Sequence, residues 1–539
     1  MQSRGVWWGL VVLWAGLVLA PDTLMLPPRG LHQWRQADAL SQTLNYFGDG
    51  MRFWEPAIHL QHGVEGKGAG EFPILYYMNA ALWKLGGEPL PWTLRWTNLL
   101  FWLAGLTALR GWLARSTGNG LLASTVAAFL LLSPLTTYYG PNSLVNISAL
   151  GCVFLGWAAV GRWSWDGQSR GARGAWWWGA VTALSMAVLL RPTMVLGLIP
   201  LAWPFWLRAI RRSPASTGAM GFWGPRLVGP GGALLLLVPV VLGGSWVLWA
   251  KSYNAHSGSV YFLTTFRPVW ATADPTAVWA TFKTLRLPQL YHRYTALALC
   301  ILGAGAAIFL RARRPEELRT PLPAGVGPIA GVLSVALCVY FALWFKNFRE
   351  HDYYLMEVHL LTPWLLVALL WPVRTIRVAQ VGVALVFIGQ TLHTTAETRI
   401  KLDPAPPRWI RPIVGNWAWQ DARRFQAEHA QYLEPLERLA PELDALGVGP
   451  NDLVLSLPDP SPNITLTMLR RKGFTGLYED HLQAGARAQW AADQGARFLI
   501  INRPDFLDRG DWGAALDHPV AAFGSTRIYR LDHLTAAPP

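Results

Sequence analysis

His32, Arg35 and Asp38 fall within seven residues of one polar stretch, HQWRQADALSQTLNYFGDG (32–50), alongside Gln33 and Gln36. A carboxylate can take a proton from a hydroxyl, a guanidinium can hold an anion, and amides and imidazoles can bond to hydroxyl groups. On a helix Arg35 and Asp38 stand at i,i+3, where a plain ion pair is worth about 0.5 kcal/mol. That structural pairing is the bland alternative to chemistry. The stretch follows the first apolar segment of the chain and is too polar to cross a bilayer.

The elements around it are apolar. The chain has 539 residues, 52% hydrophobic, with only 14% charged and 31 Trp; soluble domains carry about 25% charged residues. Apolar runs of roughly 20 residues recur, as membrane-spanning helices require. The expected spans are 6–25, 95–113, 121–139, 143–161, 174–191, 193–209, 229–250, 294–311, 324–345, 354–372 and 376–394, about eleven in all. Trp and Tyr are expected at headgroup depth. Cys152, Cys300 and Cys338 all lie in apolar runs, with no disulfide or metal pattern, and read as small core residues.

The net charge of +14 points to topology, not nucleic acid. With Arg4 inside, the inner connections collect Arg110 and Arg115; Arg162, Arg170 and Arg173; Arg208, Arg211, Arg212 and Arg226; Arg311, Arg313, Arg314 and Arg319; and Arg374 and Arg377. Against them stand Asp166, Glu316 and Glu317, which leaves 30 of the 46 basic residues facing 29 of the 32 acids elsewhere. The excess is the positive-inside signature. It sets the N-terminus in the cytoplasm and residues 395–539 outside.

The first segment reads as an uncleaved helix and not as a signal peptide. Residues 26–94 form a long outer loop, in which 73–85 is expected to be a helix along the interface, with Pro73 in its first turn. A second outer segment covers 251–293, with Arg267, Lys283, Arg286 and His292 among aromatics. In 395–539 charges return and an α/β pattern emerges. DLVLSL (452–457) and ARFLIIN (496–502) read as buried strands, STRIYRL as a last strand, and two helices are expected to end at Gly473 and Gly495. The domains are therefore a transmembrane region, 1–394, and an extracytoplasmic α/β domain, 395–539.

Under this topology the unusual polar groups share one side: Asp38 and Glu71, Asn142 and Asn146, Arg191, and Arg349, His351 and Asp352. Mixed acids, bases and amides on one face argue for an outward-facing site; the alternative is that outer loops are merely polar. HQWRQAD, EFPILYY, RWTNLL, YYGPNSLVN and HDYY, in this order, make the chain resemble the GT-C glycosyltransferases. The nearest likeness is to the bacterial family 39 group, which includes protein mannosyltransferases and aminoarabinose transferases acting on lipid A. The likeness covers roughly residues 1–400.

The resemblance implies a sugar donor carried on polyprenyl phosphate and an envelope acceptor: glycolipid, glycan or protein. It implies Asp38 as general base in an inverting transfer. Around it His32, Arg35, Glu71, Asn142, Asn146, Arg191, Arg349, His351, Asp352 and Tyr353 become candidates for binding substrate. Glu71 suits sugar hydroxyls, because a carboxylate repels phosphate. Arg191, His351 and Arg349 suit the leaving phosphate. Several relatives carry a second acid where this chain has Asn146, which weakens the case for a bridging divalent cation, Mg or Mn, without removing it. For each residue a structural role stands beside the functional one: capping for Glu71, satisfying a turn for the asparagines, snorkelling for Arg191.

The other classes kept open are a transporter or flippase for a lipid-linked sugar and a non-catalytic membrane scaffold that binds glycans. No paired repeat appears, and the ionisable groups gather at one face, which favours the enzyme. Asn146-Ile-Ser and Asn463-Ile-Thr match a glycosylation spacing that chance often produces. DPSPNITL (459–466) suits a strand-to-helix turn, as a ligand site or a cap, and LRRKGF (469–474) reads as a solvated helix end.

Overall fold

The computed structural model describes residues 2–19, 21–165, 169–211, 222–259, 267–271, 274–284, 321–375, 377–403, 405–477 and 481–535. By contacts the chain divides into two units. One comprises Met1–Met25, Arg95–Trp249 and Thr264–Arg399; the other comprises Leu26–Leu94, Ala250–Leu263 and Ile400–Pro539.

The described residues of the first unit are helical. Helices cover every expected span except 294–311, which with Cys300, Arg286 and His292 lies outside the described residues. Among the described residues three helices, Asn146–Ser164, Pro230–His256 and Val326–Leu343, are long and apolar enough to cross a membrane. A fourth arises if Asp352–Leu360 and Thr362–Leu370, bent by 48°, form one broken span. The expected span 121–139 is also broken, into Gly120–Leu131 and Pro134–Tyr139, because Pro134 cannot continue a helical ladder. Three threonine hydroxyls collect the freed carbonyls: Thr136 bonds Leu130, Thr137 bonds Leu131 at 2.8 Å, and Thr394 bonds Leu132 at 2.5 Å. Apolar surroundings demand such internal satisfaction.

Packing here is close. A Cβ built on Gly105 would lie 2.5 Å from the Gly151 Cα, so helices Trp92–Thr117 and Asn146–Ser164 cross backbone to backbone, as small residues allow. The interface-belt reading of the tryptophans holds only in part. Trp7, Trp14, Trp102, Trp112, Trp157, Trp223 and Trp364 are fully buried in this unit. Trp112 stacks on Trp223 with centroids 5.4 Å apart; large flat rings fill helix crossings efficiently. Cys152 is buried, but Cys338 is exposed on its helix, which corrects the core reading for that thiol.

The second unit holds a five-stranded sheet, order β2-β1-β3-β5-β4, with β1 Leu453–Leu457, β2 Gly473–Thr475, β3 Ala496–Ile501, β4 Pro519–Phe523 and β5 Thr526–Arg530. β2 and β3 run parallel to β1, and β5 and β4 complete an antiparallel edge. Alternation sends Val454, Phe498 and Ile500 into one core layer and Leu455, Leu499 and Ile501 into the other. The strands expected at 452–457 and 496–502 are β1 and β3, and the last expected strand is β5.

The helix expected to end at Gly473 spans only Ile464–Leu469: Arg470 turns left-handed at φ 51°, and Gly473 opens β2. Gly473 has φ 151°, and a Cβ there would meet the Val454 carbonyl at 1.9 Å, so the strand start admits only glycine. The helix Ala484–Asp493 stops, as expected, just before Gly495 at φ 93°.

Loop residues 58–61 join this sheet. Leu60 bridges Gly473 in parallel, Gly473 N–H donates to the His59 carbonyl at 3.0 Å, and Gln61 N–H donates to the Gly473 carbonyl at 2.8 Å. Ile58 and Leu60 enter the same core layer as Val454. The expected helix at 73–85 is Ile74–Gly86, after Pro73.

Candidate functional site

In the second unit the polar stretch forms the helix Gln33–Gly48. His32 precedes it in a left-handed conformation at φ 54°, an uncommon state for a residue with a side chain. Its carbonyl accepts the Arg35 and Gln36 N–H groups. The two glutamines pin the chain before the helix: Gln33 bonds the Pro28 carbonyl at 2.9 Å, and Gln36 the Arg29 carbonyl at 2.7 Å.

Asp38 is 1% exposed. Arg35 Nη1 reaches its Oδ2 at 3.4 Å, while Arg35 Nη2 bonds Glu71 in a short ion pair, so one guanidinium bridges two carboxylates. Asn463 Nδ2 donates to Asp38 Oδ1 at 2.8 Å. The Asn463 Oδ1 accepts the Leu60 N–H at 3.0 Å, which fixes which end of the amide faces Asp38.

The turn that carries Asn463 is braced by Asp459. That carboxylate, 2% exposed, accepts the N–H and hydroxyl of Ser461 (2.8 and 2.6 Å) and of Thr465 (2.8 and 2.7 Å). Burial pushes the Asp459 pKa up against the pull of these bonds. Beside the cluster His59 bonds Ser41 Oγ through Nδ1 at 2.6 Å, and burial lowers its pKa to about 3, so the ring is neutral. Neither Asn463 nor Asp459 stood out in the sequence as partners of Asp38. The strand-to-helix turn DPSPNITL was the available signal. Asn463 is fully buried, so its glycosylation spacing has no accessible acceptor.

In the first unit a second group forms around Arg191, which is 8% exposed. Its Nε donates to Glu357 Oε1 at 2.5 Å, and the Thr193 hydroxyl bonds the same oxygen. The guanidinium lies over the Tyr354 ring at 4.9 Å and the Tyr353 ring at 5.9 Å. Arg191 Nη2 is buried with no hydrogen-bond partner, as is Glu357 Oε2. His351 stacks on Tyr353 with centroids 5.3 Å apart, and the Tyr139 hydroxyl donates to Asp352 Oδ1 at 2.5 Å. Arg191, His351, Asp352 and Tyr353 thus come together, while the Arg349 side chain lies outside the described residues.

RWTNLL and YYGPNSLVN also meet. Arg95, 1% exposed, bonds the Pro141 carbonyl at 2.8 Å, and Asn98 bonds the Asn142 carbonyl at 2.7 Å and Ser148 at 2.5 Å. Asn142 Oδ1 caps its own turn through Leu144 N–H at 3.3 Å, and the Nδ2 groups of Asn142 and Asn146 are buried without partners. Glu357, Thr193, Arg95 and Tyr139 were missed in the sequence. An acid inside the apolar run 354–372 was the signal for Glu357.

A resident Mg or Mn does not fit this donor set. Arg35 already supplies the cation between Asp38 and Glu71, and among the described residues no group of three or more His, Cys, Asp or Glu converges.

The fold has solved counterparts. The apo crystal structure of ArnT from Cupriavidus metallidurans aligns over 98% of this chain and 99% of its own, with a TM-score of 0.57 and 14% identity. The structure of the same protein bound to undecaprenyl phosphate aligns over the same shares, with a TM-score of 0.57 and 15% identity. The chain shares the fold of ArnT, which is a GT-C protein. An Archaeoglobus fulgidus oligosaccharyltransferase, in complex with Zn and sulfate, aligns over 92% of this chain and 67% of its own, with a TM-score of 0.50 and 13% identity. No family model matches the sequence, and no curated protein matches it. The GT-C likeness therefore rests on the path of the backbone.

Proposed function

We propose that this chain is an inverting glycosyltransferase that moves a sugar from a polyprenyl-phosphate carrier to an envelope glycolipid, glycan or protein. In this reading it works at the outer face of a bacterial inner membrane, with about eleven spans, a cytoplasmic N-terminus and residues 395–539 extracytoplasmic. The observation that carries it is the Asp38 carboxylate: buried, charge-paired with Arg35, and aimed by Asn463. Support comes from the GT-C fold and from the undecaprenyl phosphate bound by one structural neighbour.

The chemistry follows from these groups. Asp38 takes the proton of the acceptor hydroxyl as that oxygen bonds to the anomeric carbon. The bond from that carbon to the carrier phosphate breaks, its electron pair leaves with polyprenyl phosphate, and the centre inverts. Glu71, held by Arg35, is the proposed partner of sugar hydroxyls. Arg191, with a free Nη2 donor, is the proposed partner of the departing phosphate. No step passes through a metal ion.

The test is transfer by the purified protein from a polyprenyl-phosphate sugar to an envelope acceptor, with the anomeric configuration of the product read by NMR. Retained configuration, or a topology reporter at position 38 that reads cytoplasmic, overturns the proposal.

A further inference from the structure

A cavity of about 400 Å³ opens beyond the carboxyl ends of β1 and β3 in the second unit. Its place follows from the topology. The β1-to-β2 connection runs through Ile464–Leu469, whose Leu466 and Leu469 join one core layer. The β2-to-β3 connection runs through Ala484–Asp493, whose Ala488 and Ala491 join the other. Successive connections therefore leave on opposite faces, and where they part an open α/β sheet has its ligand crevice.

Two buried side chains lining this cavity keep polar atoms without a hydrogen bond, although the Glu437 carboxyl lies 3.8 Å from His429 Nε2. Asn502 is 1% exposed; its N–H bonds the Leu457 carbonyl at 3.0 Å and its Nδ2 the Tyr432 carbonyl at 3.1 Å, which leaves Oδ1 unsatisfied. His429 is 2% exposed, and neither ring nitrogen makes a hydrogen bond. Burial lowers its pKa to about 4, so the neutral ring offers one donor and one acceptor. An unsatisfied buried polar group carries a cost that a ligand hydroxyl would relieve.

The rest of the lining narrows the ligand class. Phosphate is disfavoured: Pro458 and Pro460 have no N–H, and the Asp459 carboxylate already occupies the N–H groups of Ser461 and Thr465. Arg503 and Arg509 are both engaged by Asp505. A third arginine in the lining, Arg487, bonds the Leu482 carbonyl at 3.2 Å, and Glu428 adds a negative charge that opposes phosphate; the other groups are aromatic surface, from Phe425, Tyr432 and Phe506, beside an amide and an imidazole. Flat apolar faces next to fixed hydrogen-bonding groups match a pyranose, with its C–H faces and equatorial hydroxyls.

We propose that this cavity is a carbohydrate-binding site, of a size for about one or two pyranose rings. Asn502 Oδ1 accepts a sugar hydroxyl, His429 exchanges bonds with a neighbouring one, and Phe425 supplies a stacking face. The site belongs to residues 400–539 and does not depend on the transferase reading.

The test uses the full-length protein in detergent micelles on a printed array of bacterial envelope glycans, with unglycosylated peptides as controls and inorganic phosphate as competitor. Wild type is expected to bind at least one saccharide class. Phe425→Ala, at a position 42% exposed where truncation spares the core, is expected to weaken it about five-fold or more. Asn502→Leu is expected to do the same. Binding to no saccharide, binding to peptides alone, loss to phosphate competition, or equal binding by both variants overturns the proposal. The readout is binding and not turnover, so absence of sugar transfer in vitro would defeat the enzyme reading and leave this one standing.

Discussion

Asn463 donates from Nδ2 to Asp38 Oδ1 at 2.8 Å, a bond between residues 425 positions apart. The backbone of Leu60 holds the other end of the same amide. Asn463→Ala removes both bonds and leaves a buried carboxylate short of one donor, at a cost of about 1–3 kcal/mol. The expected outcome is a lower Tm together with a fall in kcat larger than any change in donor KM. An unchanged kcat would show that the amide serves packing alone.

Asp38→Asn keeps the shape of the side chain and removes its capacity to take a proton. Transfer should fall by about 10²–10⁴, the usual worth of a positioned general base. Expression and membrane insertion should match wild type, as read by detergent extraction and size exclusion. Activity within a few-fold of wild type ends the assignment.

Arg191 and Glu357 are a buried pair, so removing only the arginine strands an acid at a cost of about 3–5 kcal/mol. Arg191→Met with Glu357→Gln avoids that charge and isolates the phosphate role. The double variant should fold and should bind undecaprenyl phosphate at least about ten-fold more weakly, measured by lipid titration of the purified protein. Wild-type affinity in the double variant assigns the pair to structure.

A buried group, His59, and a partly buried one, Glu437, give opposite pH dependences. His59 titrates at about 3 in the fold against 6.5 in the free chain. Above 6.5 neither state holds the extra proton; below it the unfolded ring takes one that the folded ring refuses, so stability falls as pH drops from 6.5 toward 3. Glu437 is raised by burial from 4.5 to about 7, so the folded carboxyl keeps a proton that the unfolded one releases. Its contribution is full below 4.5 and is lost as pH rises through 7. Tm profiles should show a shallower acid arm in His59→Gln than in wild type, and in Glu437→Gln a smaller loss between pH 4.5 and 7. Parallel profiles would contradict the desolvation of both groups.

Arg35 stands between the two acids of the cluster, so chelation should leave the reaction intact. With EDTA in excess, the transfer rate is expected to stay within about two-fold of the untreated enzyme. Abolition by EDTA and rescue by Mg or Mn would show a metal site built from other groups.

Local order was legible in the sequence, and long-range partnership was not. The Arg35–Asp38 pair follows from i,i+3 spacing, and β1, β3 and β5 from their apolar runs. The helix expected to reach Gly473 stops at Leu469 because Gly473 is needed where β2 passes the Val454 carbonyl, a contact that no local pattern carries. Asn463 looked like a cap because its partner is remote. Glu357 was readable as an acid within an apolar run, yet the cluster HDYY drew attention a few residues early. The buried tryptophans looked like interface anchors, since indole composition is the same at a helix crossing and at a headgroup.

The turn Pro458–Asn463 works in two directions. Its prolines wall the cavity, and its last residue grips the carboxylate assigned to catalysis. Between the prolines Asp459 bonds Ser461 and Thr465, which stiffens the turn and couples the two roles. If Asp38 is the base, a replacement at Pro460 chosen to widen the pocket is expected to slow turnover as well.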